Sequence, residues 1–213
     1  VDLPDLMPLY KKFREMPVVS ISNAQRKPLP RANWQGTVYH GLPLDLYDCG
    51  EKPGEYLAFV GRISPEKRLD RAIEIAARFG MRLRIAAKTD AADSNYMEQV
   101  IRPILSTSSA EFIGEIGDKD KKEFLANAYA LLFPIDWPEP FGLVIIEAMA
   151  CGTPVIAFRC GSVPELIQEG ITGYIVDDID GALQALGRVP TFDRRRCRRA
   201  FEEHFSASRM AQD

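Results

Sequence analysis

The stretch 139-EPFGLVIIEAMACGTPV-155 sets two carboxylates, Glu139 and Glu147, eight positions apart around the start of a helix. An apolar run, "LLFPI", and a polar loop, "DWP", come before it, and it leads through "ACG" into a second apolar run, "TPVIAF". Pro140 disfavours helical backbone at Glu139, so the helix should begin near Phe141 or Gly142. The unit reads strand, loop, helix, strand, with the loop at the carboxyl end of the first strand.

The same order repeats along most of the chain. Short β-rich runs ("EYLAFVG", "MRLRIAA", "EFIGE", "LLFPI", "TPVIAF", "GYIVD") alternate with helical segments ("LDRAIEIAARFG", "MEQVIRPIL", "KKEFLANAYA", "FGLVIIEAMACG", "VPELIQEG", "GALQALG"). Such alternation builds βαβ units, which predicts an α/β fold: a Rossmann-like, mainly parallel sheet with helices on both faces. Over Leu69 to Phe79, the residues Leu69, Ala72, Ile73, Ala76 and Phe79 make one apolar stripe, and Gly80 should stop the helix. In an open sheet of this kind ligands bind beyond the carboxyl ends of the strands, so the loops after "FVG", "IAA", "IGE", "FPI" and "AF" should line one crevice.

Composition bounds the partners. The 213 residues are 46% hydrophobic with a formal net charge of -3, which gives a globular chain no bulk attraction for nucleic acid or anionic lipid. Cysteines 49, 151, 160 and 197 have no CxxC spacing and are expected as buried thiols in a reducing compartment. No stretch is apolar enough to span a bilayer, and a cytoplasmic location is expected. The arginines of the last segment, "FDRRRCRRAFEEHFSASRMAQD", are expected on a solvated helix face with Arg198 to Glu202 and Arg199 to Glu203 ion pairs; an anion or a peripheral membrane contact is the alternative.

A helix start with glycine and unpaired N–H groups at Phe141, Gly142, Leu143 and Val144 suits a phosphate. At about 1.5 Å per residue, Glu147 stands roughly 8 Å along the helix from that seat, with Glu139 on the loop side. Carboxylates only accept hydrogen bonds, so each suits a vicinal diol rather than a phosphate: Glu147 a ribose, Glu139 a transferred sugar. In "FVGRISPEKRLD", Gly61 ends a strand, and Arg62 and Lys67 lie where both can reach an anion in the crevice and neutralise charge on a departing diphosphate. Lys88, ending "RIAAK", points to the crevice mouth. Asp118 of "DKD" is expected to cap a helix rather than bind metal. His40 is expected in hinge packing and His204 on the surface. The chain lacks GxGxxG after a strand, GxxxxGK[ST] and GxSxG.

"GRISPEK", "EPFGLVIIEAMACGTPVIA" and "GSVPELIQEGITGYIVD" together resemble the donor-binding, C-terminal half of the family 4 glycosyltransferases, retaining enzymes of GT-B architecture. The resemblance is strong over about residues 55 to 180. It implies Arg62 and Lys67 on the nucleotide diphosphate, Glu139 on the donor sugar, Glu147 on the ribose, Phe141 to Val144 against phosphate and sugar, and the segment around Ile116 against the base. It also implies a nucleotide sugar as substrate, UDP-glucose by family frequency, with neither cofactor nor metal. On this reading residues 1–45 are the tail of an amino-terminal acceptor domain, 46–190 the donor domain and 191–213 helices partly crossing back, with the acceptor held mainly by the absent domain. Three departures stand out: "EKR" for the common EKG, "CGSVPE" for GGxPE, and Lys88 in place of a frequent glycine, which adds charge and is expected to alter donor preference. A nucleotide-sugar sensor on the same fold is the rival of another class, and a sugar-nucleotide epimerase or a pyridoxal-phosphate phosphorylase the rivals within it.

Overall fold

The computed structural model describes residues 7–213; the first six residues of the expected amino-terminal tail lie outside the described residues. Six parallel strands form the central sheet: β3 (Tyr56–Arg62), β4 (Arg82–Lys88), β5 (Glu111–Gly114), β6 (Ala130–Phe133), β7 (Val155–Phe158) and β8 (Gly173–Val176). Each overlaps one of the six runs read from the sequence, with β3, β4 and β6 extending one residue beyond theirs, to Arg62, Lys88 and Ala130. A separate pair of parallel strands, β1 (Pro17–Ser20) and β2 (Asn33–Thr37), lies before them, with helices α1 (Met7–Lys12) and α2 (Asn23–Arg26).

The order across the main sheet is β5-β4-β3-β6-β7-β8. The chain starts at β3, winds outward to β5, then returns to the other side of β3 and winds outward again. The order therefore reverses between β3 and β6, and at such a switch point the loops on either side part to leave a crevice.

Period-2 alternation divides the strands between two cores. Ala58, Leu131 and Ala157 face the core built with α6 (Asp118–Ala126), α7 (Leu143–Ala150) and α10 (Arg194–His204). Leu57, Phe59, Leu132 and Ile156 face the core built with α3 (Leu69–Phe79) and α9 (Ile179–Leu186). The fully buried strands β6 and β7 read as unbroken apolar runs because helices cover both faces. Helix α3 runs over the expected span and Gly80 ends it in the left-handed region, φ 77°.

Several local expectations are corrected. "MEQVIRPIL" is not one regular helix but a π turn over Met97–Ile101 leading into α5 (Arg102–Thr107), with the short α4 (Ser94–Tyr96) just before it. Gly117, not Asp118, is the N-cap of α6, and no side chain caps that end; Asp118 is the first helical residue and pairs with Lys121 at 3.1 Å. The last segment breaks at Phe205 and Ser206 into α10 and α11 (Ala207–Gln212), while α8 (Val163–Leu166) is a single turn.

The arginine face is only partly solvated. Arg194 is 4% exposed, and its guanidinium donates to the carbonyls of Gly50, Ala126 and Ala128 and to the Thr153 hydroxyl. Arg198 pairs with Glu202 as expected, but also donates to the carbonyls of Leu44, Tyr47 and Ala150. Both arginines supply donors to carbonyls left unpaired where the chain crosses from residue 44 to 50. Among the described residues Arg199 forms no ion pair with Glu203. Cys151 and Cys197 are buried, whereas Cys49 and Cys160 are only half-buried, because each sits in a loop rather than in the core.

Candidate active site at the switch point

The turn after β3 and the loop after β6 meet where the strand order reverses. Lys67 ends a single 3-10 turn, Pro65–Lys67, and its ammonium forms an ion pair with Glu139, with both side chains about four-fifths buried. The Trp137 indole donates to the same Glu139 oxygen at 3.1 Å, and the Lys67 ammonium lies 6.0 Å from the centre of the Phe133 ring. The Glu66 carbonyl accepts the Asp136 N–H at 2.9 Å, which ties the two loops together through the backbone.

A third loop, after β7, fixes the height of Glu139. The Ser162 N–H donates to the Glu139 carbonyl at 3.0 Å, and its buried hydroxyl donates to the Phe141 carbonyl at 2.7 Å. Gly161, at φ 55°, passes so close that a Cβ would stand 2.4 Å from the Glu139 nitrogen and oxygen. Only glycine meets both demands.

Helix α7 begins just beyond. Gly142 is its N-cap at φ 87°, and the first helical residue is Leu143, one or two positions later than the sequence suggested. Among the described residues, no acceptor engages the N–H groups of Phe141, Gly142, Leu143 or Val144. These are the orphan donors of a helix start, in the sheet's crevice. Phe141 is 2% exposed and packs edge-on against His40 at 4.9 Å, while Leu143 is exposed.

The other expected site residues are placed as follows. Arg62, the last residue of β3 after Gly61, is half-exposed and surrounded by carboxylates: Glu66 at 2.6 Å, Asp93 at 3.5 Å and Asp90 at 3.7 Å. The bond that Arg62 donates to Glu66 holds the Arg62 pKa above its ordinary value. Lys88 pairs in register with Arg62 and lies 3.3 Å from Asp90. Glu147 is 9% exposed on the second turn of α7 and is bound to Lys121 at 2.9 Å, not to Arg62 or Lys67. Ile116 is half-buried on the wall of a cavity of about 350 Å³ that it shares with Tyr56, Arg84 and Phe124. The structure thus joins Lys67 to Glu139, which stands three residues before the helix N-cap Gly142, sets Arg62 at the start of the turn that leads to Lys67, and holds Glu147 and Ile116 by separate contacts.

The departure "EKR" gains a physical account. Arg68 adopts the left-handed conformation, φ 53° and ψ 49°, the sole non-glycine residue to do so among the described residues. That backbone costs an L-residue roughly 1–2 kcal/mol. The Arg68 side chain offsets it by bonding Asp70 at 3.0 Å and reaching Asp136 in the β6 loop at 2.8 Å. Burial would raise the pKa of Asp70, but the bonds from Arg68 and Tyr96 outweigh it and hold the carboxyl below its usual range.

Sequence reasoning missed Trp137, Ser162 and Lys121. Trp137 and Ser162 lie inside or beside quoted motifs, but their partners belong to other loops. Lys121 is 26 positions from Glu147, and only the packing of α6 on α7 brings them together.

An open parallel sheet whose strand order reverses between β3 and β6, with helices on both faces, defines the class: a doubly wound α/β domain. Residues 50–185 match the family model of the glycosyl transferases group 1, and the chain belongs to that family. The D-inositol 3-phosphate glycosyltransferase of Mycolicibacterium smegmatis is 29% identical over 203 residues, which cover 84% of this chain and 43% of that protein. The enzyme of the same name from Rhodococcus erythropolis is 35% identical over 161 residues, covering 67% and 36% respectively. Among solved structures, Anabaena HepE in complex with UDP and glucose superposes with a TM-score of 0.82 at 19% identity, over 98% of this chain and 65% of that one. The fold is the Rossmann-like domain of GT-B glycosyltransferases. The chain spans less than half the length of the curated relatives it matches.

Proposed function

We propose that this chain is the donor-binding part of a retaining, family 4 glycosyltransferase that takes a sugar from a nucleotide-diphosphate sugar. The observation that carries this reading is the meeting of Lys67 and Glu139 across the strand reversal, beside the four unbonded N–H groups. In this reading the diphosphate rests on the N–H groups of Phe141 to Val144. Lys67 and Arg62 exchange their carboxylate partners for phosphate oxygens, which stabilises the leaving nucleoside diphosphate. Glu139, released from Lys67 but still held by Trp137, accepts from the sugar hydroxyls and fixes the anomeric carbon. Glu147 accepts from the ribose diol, and the loop around Ile116 meets the base. No metal is required, since cations and helix donors together meet the diphosphate charge.

UDP-glucose is the first donor to try. The acceptor would be held mainly by an amino-terminal domain to which residues 1–45 contribute the tail, so residues 1–213 alone should bind nucleotide but transfer little sugar. The test is a panel of nucleotide sugars scored by thermal protection of this chain and by hydrolysis with the full-length enzyme. A ligand at 100 times its Kd should stabilise by about 2.7 kcal/mol. Protection by at least one member supports the reading; a folded chain that none of the panel protects contradicts it.

A further inference from the structure

Glu147 is an unusual residue for its place. Its neighbours on α7, Ile146 and Ala148, are fully buried, and every position from Ile145 to Ala150 is buried with it. A carboxylate in such a row needs a fixed partner, since an unpaired buried charge is strongly unfavourable. The partner is Lys121, whose ammonium reaches Oε1 of Glu147 at 2.9 Å and Oδ1 of Asp118 at 3.1 Å. Lys121 is mostly buried, with a side chain 18% exposed, whereas Asp118 is 76% exposed. Lys121 therefore serves the interior acid first. The Lys121 bond engages Oε1 of Glu147 and leaves Oε2 to other partners. The Tyr47 phenol, 2% exposed, stands near enough that burial and then the Glu147 charge push its pKa well above the tyrosine value.

We infer that Lys121 is a positioning residue for ribose recognition, anchoring Glu147 through Oε1 so that Oε2 stays fixed as the acceptor for the nucleotide's vicinal diol. The inference rests on the nucleotide-sugar reading above. Lys121 sits on the first turn of α6, directly after the Ile116–Gly117 loop assigned to the base, so one ammonium ties the base loop to the diol acceptor. Without it the carboxylate is free to rotate, and the diol loses its directional partner while phosphate and base contacts remain.

The experiment titrates the chain with UDP, ADP and GDP and with their 2′-deoxy counterparts, following heat. Wild type should prefer the ribonucleotide by about tenfold, the worth of one charge-assisted hydrogen bond. Lys121→Met should bring that preference close to parity while leaving affinity for the 2′-deoxy nucleotide within about twofold. Lys121→Arg should restore part of the preference. A merely structural role would weaken both nucleotides alike. Should Lys121→Met fail to fold, Lys121→Gln is read in the same way. Glu147→Gln separates the two levels of the reading. If neither wild type nor Glu147→Gln distinguishes the sugars, the ribose assignment fails and the inference falls with it. If wild type discriminates and Glu147→Gln does not, but Lys121→Met keeps full discrimination, the inference alone is overturned.

Discussion

Glu139 and Glu147 share one residue type and one stretch of chain, yet the fold supports them in opposite ways. Glu139 sits on a loop and is braced from three loops: Lys67 comes from the β3 turn, Trp137 from Glu139's own loop, and Ser162 from the loop after β7. Glu147 sits on a rigid helix, needs no backbone brace, and has one paired ammonium. A loop acid can move, and its partner can be exchanged for a ligand. A helical acid cannot, so its partner serves to hold it still. On the proposed reading, the same contrast suits Glu139 to the reacting end of the site and Glu147 to recognition.

Breaking the loop end should have the largest effect. With Glu139→Gln in the full-length enzyme, kcat for sugar transfer should fall by roughly 10²–10³ with nucleotide affinity little changed, as for loss of one preorganised electrostatic contact. Equal losses in kcat and nucleotide affinity would place Glu139 in general binding instead. Gly161→Ala attacks the brace: the added Cβ meets the Glu139 backbone at 2.4 Å in a left-handed conformation. Urea unfolding should show a loss of about 2–3 kcal/mol, in line with overpacking plus backbone strain. An unchanged midpoint would show that the loop yields freely.

Asp70 and Glu66, on the turn and helix that carry Lys67 and Arg62, both have folded pKa values held below the ordinary carboxylate range. For Glu66 burial opposes the shift, while its own N–H and Arg62 prevail. Lowered values mean stability that is fully present above about pH 4 and is lost as pH falls through the folded values. The thermal midpoint should therefore drop below about pH 4, and Asp70→Asn should make that drop shallower. The smallest change is expected of Arg68→Gly, where relief of the left-handed strain offsets the lost bonds to Asp70 and Asp136, leaving stability within about 1 kcal/mol of wild type by denaturant titration.

The sheet was legible because buried parallel strands read as compact apolar runs between turn residues, and α3 because its stripe ends on Gly80. The π turn at Met97–Ile101 was not, since its residues have ordinary helical character and the distortion comes from packing. Asp118 misled because residue type suggested a cap, whereas the backbone puts Gly117 there. The arginines of α10 misled for a similar reason: i,i+4 spacing predicts surface pairs, but the carbonyls that capture Arg194 lie on segments 66 or more positions away. In the site, loop positions followed from strand ends, which is why the turn after β3 and the loop after β6 lie side by side. Which ion pairs form did not follow, because side-chain partners across loops depend on the strand order, and the sequence does not state that order.

On the proposed reading, a nucleotide diphosphate seats at the reversal between β3 and β6. A crystal structure of the chain with UDP, or with whichever nucleoside diphosphate binds most tightly, tests it most directly. The account predicts phosphate oxygens within hydrogen-bond distance of the N–H groups of Phe141 to Val144, with Lys67 turned from Glu139 and Arg62 from Glu66 onto the diphosphate. A nucleotide bound elsewhere, with the Lys67–Glu139 pair intact, would contradict it.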